Sequence, residues 1–223
     1  MLTELVINSA NRIAKSILTP ISFGIRTGHY RNTLTGKAED IHGNPIPMYT
    51  YPAVEFLQSK TDAIASMDIL EWGAGQSTFW WEQRAKSVTS VERNPKWARY
   101  VRQEVTLEST EIITPPDDSV DVVSGVFDLI VVDAEPRIEA AARSLNLLSN
   151  RGIIIVDNSD LDDLKPINVR FAEKGLERVD FYGHSPAAFY RQCTSFYFFA
   201  SSSFFDATTP IKSVSPHTGH LDN

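Results

Sequence analysis

Cysteine is nearly missing from this 223-residue chain: Cys193 stands alone, so no internal disulfide forms and no cysteine-based zinc site assembles from one copy. That scarcity fits a reducing compartment, and a cytoplasmic location is expected. Long apolar runs are missing as well, and nothing approaches the roughly 20 residues a bilayer-crossing helix needs. The first twenty residues place Leu2, Leu5, Val6, Ile13 and Ile17 near one helical face, yet Asn8, Ser9, Asn11 and Arg12 interrupt any signal-peptide core. An amphipathic helix packed on the body is expected there, with no membrane partner. Positive charge is in deficit: the net charge of -7 repels a phosphate backbone, which takes weight from nucleic acid as a partner. The densest basic cluster, Arg93, Lys96, Arg99 and Arg102, reads as the solvated face of a helix.

What is present is an ordinary globular composition, 42% hydrophobic and 22% charged, long enough for one sizeable core. Residues 1–50 read as a helix followed by an irregular arm rich in Gly, Pro, Asn and Thr, a candidate substrate cap. Residues 51–203 form the main domain, and 204–223 a polar, loosely ordered tail. A short helix over 51–59 is followed by strands predicted at 67–72, 87–92, 111–114, 127–133 and 152–157. Helices at 77–84, from Asn94-Pro95 onward, at 135–148 and at 161–174 alternate with them. Two closing strands, 177–182 and 195–200, lack a helix between them and suit an antiparallel hairpin. The fold class expected is therefore α/β: a doubly wound, mostly parallel seven-stranded sheet with helices on both faces and a C-terminal antiparallel hairpin.

Glu71-Trp72-Gly73-Ala74-Gly75-Gln76-Ser77-Thr78 falls where the first strand should turn into a helix. Glycines at such a turn let a ligand approach the backbone and the helix N-terminus; a merely structural tight turn is the bland alternative. Glu92 ends the second strand, where a carboxylate suits both hydroxyls of a ribose. Asp133 ends the fourth strand and Asp157-Asn158 the fifth, so all three should emerge at the carboxyl edge of the sheet, where open α/β folds bind ligands.

These stretches together, residues 69–75, Val91-Glu92, 127–133 and 152–158, resemble the successive motifs of class I S-adenosylmethionine (SAM)-dependent methyltransferases over roughly residues 50–200. The resemblance implies that Glu71 helps hold the amino acid end of SAM, that Gly73, Ala74 and Gly75 pass beneath it, and that Glu92 takes the ribose. Ser77 stands where the family often has a third glycine, and Thr78 follows; this hydroxyl pair either bonds the methionine carboxylate or caps the helix. Asp133, Asp157 and Asn158, the candidate catalytic residues, resemble the metal-binding set of the catechol and caffeoyl-coenzyme A O-methyltransferases, which would bring in a divalent cation such as magnesium. Local backbone hydrogen bonding is the alternative use of such residues, and metal independence is the favoured reading.

The Asn/Asp-Pro-Pro-aromatic run of amino-methylating nucleic-acid enzymes is missing after the fourth strand, where Asp133-Ala134-Glu135-Pro136 stands. With the acidic charge, this points to a small-molecule hydroxyl or carboxyl acceptor. His184, Tyr190, Tyr49, Tyr51 and Arg137 are candidates for the acceptor side, and Trp72, Trp80 and Trp81 for an aromatic face near the sulfonium, with core packing the commoner use of each. A non-catalytic SAM-binding or partner-binding module remains an alternative, as does an NAD-dependent oxidoreductase, whose fingerprint wants glycine where Thr78 stands. A homo-oligomer is compatible with the sequence.

Overall fold

The computed structural model describes residues 2–117 and 119–205. Seven strands form one sheet: β1 (Asp68–Trp72), β2 (Ser87–Val91), β3 (Thr110–Ile113), β4 (Phe127–Val132), β5 (Leu148–Asp157), β6 (Leu176–His184) and β7 (Arg191–Phe199). Their order is β3-β2-β1-β4-β5-β7-β6, parallel from β3 through β5, with β7 running antiparallel between β5 and β6. The sheet and its closing hairpin are thus as the sequence predicts, with β7 the inner strand of the final pair.

The apolar alternation along the central strands shows why both faces must be covered. Ile69, Leu129, Val131, Ile153 and Ile155 point into one core with Trp80, Trp81 and Leu57, while Leu70, Ile130, Val132, Ile154 and Val156 point into the other with Ala140, Ile167 and Phe171. Neither set has a solvated side, which is why these strands read as continuous apolar runs rather than alternating ones. The first core is closed by α3 (Tyr51–Ser59), the short α4 (Thr61–Ile64) and α5 (Gln76–Glu82), and the second by α7 (Arg137–Leu147) and α8 (Lys165–Glu173). A third, smaller cluster joins α6 (Pro95–Glu104) to β3 through Ala98, Val101 and Ile112. Asn94 starts α6, its side-chain oxygen accepting from the N–H groups of Lys96 and Trp97.

The N-terminal region differs from expectation. The first helix, α1, runs from Leu2 to Arg26, through Pro20, and α2 (His29–Thr35) follows where an irregular arm was expected. Tertiary contacts outweigh the local breakers: the Tyr30 hydroxyl donates to the Pro20 carbonyl, and Phe23 meets Tyr51 edge-on with ring centres 5.3 Å apart. Gly28 and Gly36, both left-handed, bracket α2. The expected packing of α1 on the body is found only near its C-terminal end, at Phe23, and not at Ile13 and Ile17, which are 60% and 61% exposed. The expectations for Leu2, Leu5 and Val6, and for the tail from residue 206, lie outside the described residues or side chains. Among the described residues, no helix is long and apolar enough to cross a membrane.

Candidate functional site

Strand order reverses between β1 and β4, and at their carboxyl ends lies a cavity of about 350 Å³, large enough for a cofactor-sized ligand. Gly73, Ala74, Gly75, Gln76 and Ser77 form one wall, Asp133 and Ala134 another, and Glu92, Trp97 and Tyr100 a third. Gly36, Lys37 and Met48 reach in from the N-terminal region.

Two glycines shape the turn differently. Gly73 has φ +103°, and a Cβ there would sit 2.8 Å from the Ala134 Cβ, so only glycine lets the β1 and β4 turns approach. At Gly75 a Cβ would meet nothing within 4 Å; the space it would enter is the cavity this residue lines. Thr78 fixes the turn from behind, its hydroxyl accepting from the Gly75 N–H at 2.9 Å and donating to Glu71 Oε2 at 2.5 Å. Of the two uses open to the hydroxyl pair, Thr78, which is fully buried, serves as the cap, whereas Ser77 lines the cavity.

Glu71 is also fully buried and lies behind the turn, outside the cavity lining. Its Oε2 accepts from Thr78 and, at 2.8 Å, from the Ser90 hydroxyl, while Oε1 is buried without a partner. Burial outweighs these hydrogen bonds and raises its pKa to about 7. The side chain that the resemblance assigns to the amino acid end of the ligand thus stands behind the turn rather than on the cavity wall. Glu92, half-buried at the cavity rim, accepts from the Ala74 N–H at 3.2 Å and from the Asn94 N–H at 2.7 Å. Its carboxylate is thereby aimed by the turn it faces.

A second cavity, of about 430 Å³, adjoins the first and shares Met48 and Asp133 with it. Asp157, Asn158, Gln192, Tyr190 and the loop between β6 and β7 complete it. The sequence-predicted trio of Asp133, Asp157 and Asn158 is brought together here. Asp157 is locked, accepting from the Thr194 hydroxyl at 2.6 Å and from Gln192 Nε2 at 3.1 Å. Burial raises its pKa well above the usual carboxylate range, and the neighbouring Asp133 charge adds to this; burial likewise raises Asp133, with Arg137 opposing.

Arg137 bridges two members of the trio, Asp133 and Asn158. A single guanidinium nitrogen, Nη2, stands 3.2 Å from Asn158 Oδ1, 3.4 Å from Asp133 Oδ1 and 3.5 Å from the Asp133 carbonyl. Asn158 turns its side chain toward it from a left-handed backbone, φ +52°, which Asn tolerates better than most residues. A divalent ion does not fit this donor set, because the oxygens it would bind already converge on an organic cation whose side chain is only 12% exposed. Among the described residues, no three His, Cys, Asp or Glu side chains are grouped to hold a metal.

The remaining candidates divide. Tyr190 lines the second cavity and is 66% exposed, whereas Tyr49 is fully buried in the core. The Tyr51 hydroxyl pairs with His29 Nδ1 at 3.2 Å, and His184 lies beside that histidine. Trp72, Trp80 and Trp81 are core residues, Trp72 donating to the Ser144 hydroxyl. The aromatic wall is instead Trp97, missed by sequence reasoning: its indole N–H donates to the Ala74 carbonyl at 2.6 Å and its ring lies 5.0 Å from Tyr100. Its spacing of three from Tyr100, on a helix opening two residues after Glu92, was the available signal.

No protein-family model matches the chain, and no curated protein sequence matches it. Solved structures do. A Staphylococcus aureus protein described as a candidate caffeoyl-CoA O-methyltransferase superposes with a TM-score of 0.54 at 15% identity, over 88% of this chain and 98% of that one. Precorrin-6y C5,15-methyltransferase from Geobacter metallireducens GS-15 gives 0.52 at 12% identity, over 66% and 89%. The O-methyltransferase TomG from Streptomyces achromogenes, in complex with SAM, gives 0.50 at 16% identity, over 65% and 77%. What the chain shares with them is the fold, that of the class I SAM-dependent methyltransferases.

Proposed function

We propose that this class I methyltransferase fold carries the matching activity: a SAM-dependent methyltransferase acting on a hydroxyl of a small molecule. The observation that carries the reading is the pair of adjoining cavities with Asp133 on their shared wall. One is lined by the glycine turn, Glu92 and Trp97 and fits a nucleoside-bearing cofactor; the other sets Asp133, Asp157, Asn158 and Gln192 among apolar side chains such as Met48 and Phe189 and fits an acceptor. A module that only stored the cofactor would not need the second.

In this reading Glu92 accepts from the ribose hydroxyls, Trp97 offers its face to the adenine, and Gly73, Ala74, Gly75 and Ser77 border the rest of the cofactor, with Glu71 and Thr78 holding the turn from behind. Bound SAM supplies a methyl group on a sulfonium, open to displacement by a nucleophile in line with the departing sulfur. The protein's task is then alignment and exclusion of water. Asp133 faces both cavities and, with its raised proton affinity, accepts the acceptor's hydroxyl proton while the oxygen takes the methyl. Asp157 and Asn158 orient the acceptor, and Arg137 holds Asp133 and Asn158 in register. The charged Asp133 carboxylate on this wall repels a carboxylate acceptor, which selects hydroxyl over carboxyl. The region before residue 51 acts as a cap through Gly36, Lys37 and Met48.

The test is an acceptor panel of hydroxyl, carboxyl and amine compounds with SAM, followed by mass spectrometry for a methyl adduct and by S-adenosylhomocysteine release. Adducts confined to hydroxyl compounds are expected. Adducts only on amines would replace the acceptor class, and binding without turnover across the panel would favour the non-catalytic module.

A further inference from the structure

The helix α1 is attached to the body only near its C-terminal end. Phe23 packs against Tyr51 and His29, and Tyr30 holds the Pro20 carbonyl, while every described side chain from Arg12 to Ser22 is exposed. At 3.6 residues per turn, Ile13, Ile17, Leu18, Ile21 and Ile25 fall within an arc of about 140°. All five are 43% to 61% exposed, so the arc is an apolar face that the body leaves uncovered. The opposite arc holds Arg12, Lys15, Ser16, Thr19, Ser22 and Arg26.

Charge identifies what covers the apolar arc. Along α1 the described side chains include Arg12, Lys15 and Arg26 and no Asp or Glu, with Glu4 the one acidic residue in the helix, although the net charge of the chain is -7. A second copy of the same helix would offer these cations no acidic partner save Glu4, whereas paired helices place opposite charges beside their seam. Against an anionic lipid surface they find phosphate headgroups while the isoleucines enter the acyl boundary. The place of attachment points the same way. His29 meets His184, ring centres 6.2 Å apart, at the end of β6, and the loop that follows exposes Phe189 (82%) and Tyr190 (66%) at the rim of the second cavity.

We propose that α1 is an in-plane anchor that docks the protein on an anionic lipid surface, with the mouth of the second cavity beside that surface. The proposal is independent of the methyltransferase reading, because its measurement does not use SAM. The full chain is sedimented with phosphatidylcholine vesicles, with and without phosphatidylglycerol, alongside an Ile17→Glu, Ile21→Glu double variant. Both substituted positions lie off the cores, so both proteins should share one thermal melt. The expected result is at least about tenfold more wild-type protein bound to the anionic vesicles, released by raised salt, and the variant left in the supernatant. Wild-type protein remaining in the supernatant, or sedimenting equally with neutral vesicles, overturns the proposal. So does a light-scattering dimer that the same double substitution dissolves while vesicle binding is absent.

Discussion

Gly73 and Gly75 stand two residues apart and do different work. A valine at Gly73 meets the Ala134 Cβ and strains a φ of +103°, so Gly73→Val should fail as a folded protein, and its loss of binding would carry no information about the ligand. Gly75→Val enters open cavity instead: it should keep the wild-type melting temperature and lose SAM affinity at least about tenfold, read by calorimetry. Wild-type affinity in that variant would put the cofactor elsewhere. Glu92→Ala should weaken SAM binding by about 1 to 3 kcal/mol, since hydrogen bonds to a charged acceptor disappear. Glu71 makes a stability prediction. Its pKa, raised from 4.5 to about 7 in the folded state, means the native protein holds a proton that the unfolded chain releases. The stability this contributes is complete below pH 4.5 and is lost as pH rises through 7, an effect on the order of 3 kcal/mol. Urea unfolding at pH 5 and pH 8 should therefore show wild type losing more stability than Glu71→Gln, and equal losses would contradict the buried, protonated assignment.

Elements differ in how plainly the sequence announces them. The central strands β1, β4, β5 and β7 were legible because their apolar runs are buried and bounded by turn residues, and the more exposed edge strands β3 and β6 through their β-branched and aromatic residues; the same pattern carried Gly73, Glu92, Asp133 and Asp157-Asn158 to one edge. Continuation of α1 past Pro20, and α2 itself, were not legible, because contacts from Tyr30 and Phe23 to distant residues decide them. Nor was the reach of α7: its first residue, Arg137, bridges Asp133 and Asn158, a relation that strand-end spacing does not encode. That bridge predicts two results for the transfer reaction. A chelator should leave turnover unchanged, and Arg137→Met should lower it while moving the acidic limb of the pH profile upward, because the guanidinium is what opposes the rise in the Asp133 pKa. Loss of turnover on chelation, restored by magnesium, would contradict the account of Arg137 as the cation at this site.

At the scale of the whole molecule, the sheet brings two cavities to one edge, Gly36, Lys37 and Met48 of the N-terminal region line the first, and the apolar side chains of α1 from Ile13 to Ile21 stay outside both cores. The fold is shared with methyltransferases at 16% identity or less in the three structures compared, so the cofactor itself is the point on which everything else depends. The acid after β2 suits the ribose of SAM or of NAD, while Thr78, in place of a fingerprint glycine, and the antiparallel β7 favour SAM. The most direct measurement is a calorimetric titration of the purified chain with SAM, S-adenosylhomocysteine and NAD in parallel. Saturable binding of the first two with one site per chain, and none of NAD, is the expected result; binding of NAD alone, or of none of the three, would contradict it.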